Sequence, residues 1–249
     1  MSEVMTPAIT LAVARRVLTQ LRRDHRTLVM LLLLPTMLIS LLWWMYDATP
    51  GTTFDRVGPA LLAMFPFTVM FLVTSVTTLR ERSSGTLERL LAMPLGKGDF
   101  LAGYALAFGA IAAAQSGLAV GVSIGLLGLE IVGPPSLLIL VAVVDALLGT
   151  ALGLFVSAFA QTEFQAVQFM PALVIPQILL CGLFVPREQL PAVLATISDL
   201  LPLSYAVDAM QHLTRSASTA EVWQDLAVVG GFVVVLLALG AATLRRRTA

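Results

Sequence analysis

The sequence predicts an all-α membrane protein with six transmembrane helices, an N-terminal amphipathic interfacial helix, and a re-entrant outer element between helices 5 and 6. The first observation is composition: 58% of the 249 residues are hydrophobic and 12% are charged, about half the charged fraction of a soluble domain. The second is six apolar runs of about 20 residues, the length that an α-helix needs to cross the hydrocarbon core. The third is that Lys and Arg concentrate on one side of these runs.

An amphipathic helix is predicted at residues 6–26, ahead of the first span. Thr6 and Pro7 are typical of a helix start, with the Thr6 hydroxyl as N-cap and proline at the first helical position. Helical spacing separates a polar face from an apolar one: Arg15, Thr19, Arg22 and Arg26 against Ile9, Val13, Val17 and Leu21. We expect this helix to lie on the inner leaflet; the alternative is a solvated cytoplasmic helix.

The transmembrane helices follow from the positions of the apolar runs. In lipid a helix satisfies its own backbone polar groups, and these runs are too long for the strands of a β-barrel. The predicted helices cover residues 28–46, 57–79, 102–127, 137–160, 165–185 and 225–244. With the segments between them, they form a single transmembrane domain over residues 1–249.

Small residues recur at every fourth position in two of the spans, a spacing that lets helix backbones approach closely. The third span carries Gly109, Ala113, Gly117, Gly121 and Gly125, and the fourth carries Gly149, Gly153 and Ser157. We interpret both stripes as helix packing surfaces, within the chain or between two chains.

The distribution of positive charge predicts the orientation. Of the 15 Lys and Arg residues, all except Arg56, Arg187 and Arg215 lie on the side that holds both termini of a six-span chain. Positive residues favour the cytoplasmic side. We therefore expect a multi-pass protein of the plasma (cytoplasmic) membrane with both termini in the cytoplasm. An aromatic belt is expected at the outer interface, formed by Trp43, Trp44, Tyr46 and Trp223.

The inner loop between the second and third spans, residues 81–95, contains a predicted short helix. It runs from Thr86 to Met93 and is ended by Pro94. One edge of this helix is apolar and carries Leu87, Leu90 and Leu91. The other edge is charged and carries Glu88 and Arg89. An apolar edge beside charges suits docking into a groove of another protein. The alternative is an interfacial loop without a partner, which would leave that edge exposed.

The string Glu-Arg-x-x-Gly-Thr-Leu-Glu-x-Leu-Leu-x-x-Pro-Leu in this loop resembles the inner loop of ABC-2 permeases, the membrane subunits of ATP-driven exporters. In that family the loop forms the coupling helix that contacts the ATPase. The resemblance implies ATPase-coupling roles for Glu81, Arg82, Gly85, Thr86, Leu87, Glu88, Arg89, Leu90 and Leu91. Many family members follow the loop with a Gly-Lys pair. Here Gly103 and Tyr104 stand instead, so a role for that lysine does not carry over.

A second resemblance lies after the fifth span, at residues 186–212. Prolines and acids interrupt the helical pattern there, yet the stretch is too apolar for a free loop. We expect short helices that dip into the outer bilayer, with protein or water satisfying the exposed backbone groups. The stretch resembles the re-entrant element that caps the export path in the same family, which implies outer-gate roles for Phe184, Pro186, Pro191, Pro202 and Tyr205.

Asp145 is the only acid well inside a predicted span. An ionisable side chain at that depth is costly and marks a polar contact or a functional site. Two interpretations stay open: a structural hydrogen bond across the bundle, or a role near a cationic or polar substrate.

The sequence contains no nucleotide-binding or catalytic motif. The Gly-Lys-Gly string at residues 96–98 lacks the spacing of a phosphate-binding loop. His25 and His212 are the two histidines, too few for a His-based metal site or a Ser-His pair. A net charge of zero gives no electrostatic case for nucleic acid. We expect no enzyme activity and no cofactor bound by this chain; ATP and Mg²⁺ would be bound by a partner ATPase.

The resemblance implies the permease subunit of an ABC-2 exporter, forming the path for a drug-like, lipid or glycan substrate and closest to drug and antibiotic efflux permeases. The expected partners are two copies of a cytoplasmic ABC ATPase, a homologous permease in a homodimer or heterodimer, and membrane lipid. The alternative is a secondary transporter driven by an ion gradient. Such proteins usually carry inverted repeats, interrupted helices and intramembrane charges, and Asp145 alone fits that description.

Overall fold

The computed structural model describes residues 6–47, 53–85 and 96–243. Within these ranges every regular element is helical, which confirms the predicted all-α class. In chain order the α-helices are α1 (Pro7–Arg23), α2 (His25–Asp47), α3 (Thr53–Ser83), α4 (Lys97–Gly125), α5 (Pro135–Val156), α6 (Glu163–Leu180), α7 (Ala192–Asp199), α8 (Pro202–Arg215) and α9 (Ala220–Thr243). A 3₁₀ turn at Arg187–Gln189 precedes α7.

Among the described residues, the six helices α2 to α6 and α9 are long and apolar enough to cross a membrane, as predicted. Between α6 and α9, the short helices α7 and α8 form a pair bent by 91°, the shape of a re-entrant loop or a broken span. α6 ends at Leu180, before the predicted 185, and Gly182 follows it with a φ of 92° that favours glycine. α3 continues to Ser83, beyond the predicted 79.

The start of α1 differs from the prediction in its capping. Pro7 is the first helical residue, as expected, but the Thr6 hydroxyl makes no capping hydrogen bond. Instead, the Thr6 amide donates to Asp99 Oδ1 at 2.8 Å. The carboxylate of a distant helix thus satisfies a backbone donor at the start of α1, which ties α1 to α4.

The end of α1 falls earlier than predicted. The helix stops at Arg23, and Arg26 belongs to α2, so residues 6–26 are not one helix. Asp24 lies between the two helices and accepts hydrogen bonds from the hydroxyl and the amide of Thr27, at 2.6 and 3.2 Å. These bonds hold the pKa of the Asp24 carboxyl below its usual range and start α2 immediately after α1.

The apolar face of α1 packs on protein. Val13, Val17 and Leu21 are buried, and α1 lies mainly against α4. The two backbones meet at Gly103, where an added Cβ would lie 2.6 Å from the Val13 Cβ atom. Because this face is covered by the bundle, the side that α1 leaves exposed carries its arginines, with Leu11 exposed toward the start of the helix.

α3 and α5 approach each other to backbone contact. A Cβ added at Gly149 would lie 2.3 Å from the Phe67 carbonyl oxygen, and one at Gly153 would lie 2.6 Å from the Phe71 carbonyl oxygen. α5 is also packed against α4, α8 and α9. The small-residue stripe of the fourth span is therefore a packing surface within the chain, at the centre of the bundle.

The small-residue stripe of the third span, on α4, is packed over only part of its length. A Cβ at Gly109 would meet Leu147 Cδ2 at 3.0 Å, so this residue packs against α5. At Gly117, Gly121 and Gly125 an added Cβ would have no neighbour within 4 Å among the described residues. Most of this stripe has no partner within the part of the chain that the structure describes.

The bundle has two polar ends. The α1 end comprises α1, the start of α2, the end of α3 and the start of α4; the α8 end comprises α7, α8 and the opposite ends of the spans. The described arginines divide between these ends as the sequence indicates: Arg15, Arg16, Arg22, Arg23, Arg26, Arg80 and Arg82 at the α1 end, and Arg56, Arg187 and Arg215 at the α8 end. Trp44 and Trp223 are exposed at the α8 end.

Gly149→Ala should lower the stability of the purified chain, because its methyl group would overlap the Phe67 carbonyl and push α3 and α5 apart. Overpacking of this kind costs about 1–3 kcal/mol. Gly117→Ala is the matched control, since it adds the same methyl group within a span but into open space. We expect the melting midpoint in detergent to fall for Gly149→Ala and to change little for Gly117→Ala; equal midpoints would contradict the packing described.

Candidate functional site

A buried carboxylate joins three helices at the α1 end. Glu81 lies in the last turns of α3 and is 6% exposed. Arg16 of α1 donates to Glu81 Oε1 at 3.1 Å, and the Tyr104 hydroxyl of α4 donates to Glu81 Oε2. We call these three residues the Glu81 cluster. It connects the part of α3 that leads directly into the inner loop to both α1 and α4.

Asp99 makes a second connection at the same end. Its Oδ1 atom accepts hydrogen bonds from the Thr6 amide and the Thr10 hydroxyl, both at 2.8 Å, and its side chain is almost fully buried. α1 is therefore held to α4 near its start by Asp99 and to α3 near its middle by Arg16. These contacts make α1 a fixed part of the α1 end.

The structure describes three of the nine residues to which the sequence assigns ATPase coupling. The Glu81 carboxylate points into the bundle, Arg82 is half-buried with no hydrogen-bond partner for its Nε atom among the described residues, and Gly85 has a φ of 70° just after α3. The other six lie outside the described residues: Thr86, Leu87, Glu88, Arg89, Leu90 and Leu91. The coupling role of this loop stays a prediction, and the Glu81 side chain lies inside the bundle rather than on the surface of the loop.

An ion pair links the same end of α3 to α6. Arg80 donates to both carboxylate oxygens of Glu163, at 2.7 and 2.9 Å. Between these helices and the α1–α2 junction lies a cleft of about 560 Å³. Its apolar lining includes Leu72, Val73 and Val76 of α3. The bidentate Arg80–Glu163 pair fixes the relative orientation of its two groups, although both side chains are largely exposed.

The α8 end is organised around Arg187 in the 3₁₀ turn. Its guanidinium donates to Asp199 Oδ1 at 2.6 Å and to Asp208 Oδ2, and it lies 5.2 Å from the centre of the Tyr205 ring. The Tyr205 hydroxyl donates to the Asp199 carbonyl oxygen at 2.8 Å. We call these four residues the Arg187 cluster. Through it, the segment after α6 is fastened to both α7 and α8.

Side chains also satisfy the interrupted backbone near α7 and α8. Gln177 of α6 accepts a hydrogen bond from the Leu203 amide at 3.3 Å, and the Ser198 hydroxyl donates to the Leu180 carbonyl oxygen at 2.9 Å. Ser198 and Ser204 share a further hydrogen bond of 3.0 Å between their hydroxyls. Non-helical backbone at membrane depth needs partners of this kind.

The predicted outer-gate residues occupy the breaks of this element. Pro186 precedes the 3₁₀ turn, Pro191 precedes α7, Pro202 begins α8, and Phe184 is 65% exposed. Of the five, Tyr205 alone belongs to the Arg187 cluster. Sequence reasoning missed Arg187, Asp199 and Asp208, which the structure brings together in this cluster. A signal for Arg187 was present, because it is the only Lys or Arg between Lys97 and Arg215.

Asp145 is fully buried in α5, and neither of its carboxylate oxygens has a hydrogen-bond partner among the described residues. It lies four residues before Gly149 and therefore on the side of α5 that faces α3. The structure thus shows no hydrogen bond across the bundle for this residue within the described ranges.

Comparison with known proteins supplies the family. The family model described as ABC-2 type transporter matches residues 8–214. The chain is 29% identical over 171 residues to the probable multidrug ABC transporter permease YbhR of Escherichia coli (strain K12), covering 68% of this chain and 46% of that protein. It is 31% identical over 171 residues to nodulation protein J of Rhizobium leguminosarum bv. trifolii, covering 68% and 64%.

A third relative is the linearmycin resistance permease protein LnrN of Bacillus subtilis (strain 168). The identity is 26% over 187 residues, which covers 72% of this chain and 48% of LnrN. The chain spans about half the length of YbhR and LnrN.

Removing the Glu81 carboxylate should destabilise the α1 end more than removing the Tyr104 hydroxyl. Glu81→Ala leaves both Arg16 and Tyr104 without their acceptor, at a cost of about 1–3 kcal/mol, whereas Tyr104→Phe removes one donor at about 1 kcal/mol. We expect the melting midpoint to fall in that order. The double variant should lose less stability than the sum of the two single variants, because the Tyr104 hydroxyl and the Glu81 carboxylate form one shared hydrogen bond.

Glu130→Ala is the control for this series, because Glu130 is an exposed acid at the α8 end. Its melting midpoint should equal that of the parent chain. Strictly additive losses for Glu81→Ala and Tyr104→Phe would show that the hydroxyl and the carboxylate do not interact.

Proposed function

Because this chain belongs to the ABC-2 type transporter family, we propose that it forms the membrane path of an exporter driven by a separate cytoplasmic ATPase. Permeases of this family work in general with an ATPase partner, and this sequence has no phosphate-binding loop of its own. The observation that carries the proposal is the Glu81 cluster. It places a buried three-helix connection directly before the loop that resembles a coupling helix.

In this proposal the ATPase acts on the bundle through residues 81–95. Binding of ATP would draw two ATPase subunits together and move the loop, and therefore the end of α3. The Glu81 cluster would carry that displacement to α1 and α4. The Arg80–Glu163 pair would carry it to α6, so four helices would respond to one contact.

The surface of α6 supports a second permease copy. Of the six candidate spans, α6 is the least apolar, yet it is largely exposed in the single chain. Gln165 and Gln168 lie on its exposed surface together with Pro171 and Pro176. Polar side chains within membrane helices usually face protein or a water-filled cavity. We propose that α6 faces a homologous permease, in a homodimer or heterodimer, and the path between the two.

The α8 end would form the outer gate. The Arg187 cluster ties the 3₁₀ turn to α7 and α8, and opening toward the outside would require these bonds to break or rearrange. YbhR is named a probable multidrug permease and LnrN a linearmycin resistance permease. On that basis we propose a drug-like substrate for this chain, with lipid and glycan as the other classes to test.

Asp145 gives one observation in favour of a secondary transporter. A fully buried carboxylate without a partner in the described ranges is the kind of group that such proteins use to bind a proton or a cation. A transporter of this type would work without an ATPase. Transport by the purified chain in liposomes, driven by an ion gradient and lost in Asp145→Asn, would establish that alternative.

We propose that both termini are cytoplasmic and that the α1 end faces the cytoplasm, because the described arginines concentrate at that end. A reporter fused after Ala249 should then be cytoplasmic, and reporters inserted near Thr52 or Ser216 should be exported. Alkaline phosphatase and green fluorescent protein fusions measure the two states. A cytoplasmic signal at both inserted sites would contradict this orientation.

Shortening the apolar edge of the inner loop should weaken ATPase binding. Leu87→Ala combined with Leu90→Ala removes part of the proposed contact, and a lost hot-spot side chain costs about 2 kcal/mol or more, over tenfold in affinity. Glu88→Lys should act in the same direction by reversing a charge. Co-purification with the ATPase and substrate-stimulated ATP hydrolysis measure the effect, while insertion of the six spans should be unchanged.

Arg56→Glu combined with Arg215→Glu is the control, since both side chains are exposed at the α8 end. This variant should bind the ATPase like the parent chain. If the loop variants insert normally and still bind and stimulate the ATPase, the coupling role of residues 81–95 is wrong.

A further inference from the structure

We propose that the cationic side of α1 binds the phosphate group of an anionic phospholipid. Arg15, Arg22 and Arg23 are exposed on this helix. Within residues 6–47, 53–85 and 96–243, no ion pair involves any of these three arginines. The nearby acid Asp24 accepts its hydrogen bonds from Thr27. The helix therefore presents positive charge that the described protein does not neutralise.

The arginines lie along one shallow, open side of α1. A groove of about 480 Å³ on α1 is formed by Ala12, Arg15, Arg16, Thr19, Gln20 and Arg23. Guanidinium groups present planar pairs of N–H donors that match the oxygens of a phosphate. Arg16 already pairs with Glu81 through one nitrogen, whereas Arg15 and Arg23 make no ion pair within residues 6–47, 53–85 and 96–243.

The surroundings of the groove point to a lipid rather than to a soluble phosphate. Leu11 is 63% exposed, and Ala8 and Ala12 are exposed next to it. At helical spacing these residues continue the side of α1 that carries Arg15. One side of the helix is thus apolar toward its start and cationic toward its end, as an acyl chain beside a charged headgroup requires.

The position of α1 in the bundle agrees with this occupant. The opposite side of the helix is buried on α4 through Val13, Val17 and Leu21, so the membrane can meet only the exposed side. α1 lies where α3 ends and α4 begins, at the level where membrane spans meet the headgroup layer. The lipid site depends on these contacts and not on the proposed ATPase or substrate.

Native mass spectrometry in detergent, with phosphatidylglycerol and phosphatidylcholine added in equal amounts, tests the proposal on the full chain. The parent should retain phosphatidylglycerol in preference to phosphatidylcholine. Arg15→Gln combined with Arg23→Gln should reduce that preference by about tenfold or more, because each basic side chain near an anionic lipid contributes roughly fivefold in affinity. Neither residue belongs to the Glu81 cluster, so the melting midpoint without added lipid should be unchanged.

The matched control is Arg56→Gln combined with Arg215→Gln, which removes the same charge from exposed positions at the α8 end. It should keep the preference of the parent. Equal retention of both lipids by the parent, or an equal loss of preference in the control, would overturn the proposal. So would an Arg15/Arg23 variant that keeps phosphatidylglycerol but no longer binds the ATPase, because the arginines would then serve a protein partner.

Discussion

Backbone contact between α3 and α5 constrains the whole bundle, because α5 is the helix around which α3, α4, α8 and α9 pack. The hydrophobic effect does not drive helices together inside lipid, so their association depends on close van der Waals packing. Gly149 and Gly153 allow that packing by exposing their backbone to the carbonyls of Phe67 and Phe71. Once α3 is fixed on α5, its last turns are fixed as well. The position of Glu81, and with it the connection to α1 and α4, follows from a contact in the middle of the membrane.

The two polar ends use the same physical device on opposite sides of this apolar centre. In each case one charged side chain bonds to two other elements: Glu81 to α1 and α4, and Arg187 to α7 and α8. Such bonds are strong in a medium of low dielectric constant, but they exist in one relative arrangement of the elements or not at all. Each end can therefore hold a single state firmly and release it as a unit. This property is useful in a transporter that alternates between inward and outward access.

Most of the fold could be predicted because span length and hydropathy depend on the sequence alone. The helix ends could not be predicted in the same way, because they depend on particular side-chain bonds. Asp99, rather than the Thr6 hydroxyl, accepts a hydrogen bond at the start of α1, and Asp24 separates α1 from α2. At the candidate sites, the prolines of the outer element were found from their effect on the backbone. The cluster that fastens them was not, because Arg187, Asp199 and Asp208 are up to 21 residues apart and meet only when α7 and α8 fold back.

The pair Gly103 and Tyr104 joins α4 to both α1 and α3. Many ABC-2 permeases have Gly-Lys where this chain has Gly-Tyr, and the structure accounts for both residues. Gly103 lets α1 touch α4, and the Tyr104 hydroxyl donates to Glu81. A lysine would bring a positive charge to that carboxylate, whereas a tyrosine brings a neutral donor. The positive charge comes instead from Arg16 on α1. With the cation on α1 and the neutral donor on α4, the buried carboxylate of α3 depends on both neighbouring helices for its partners.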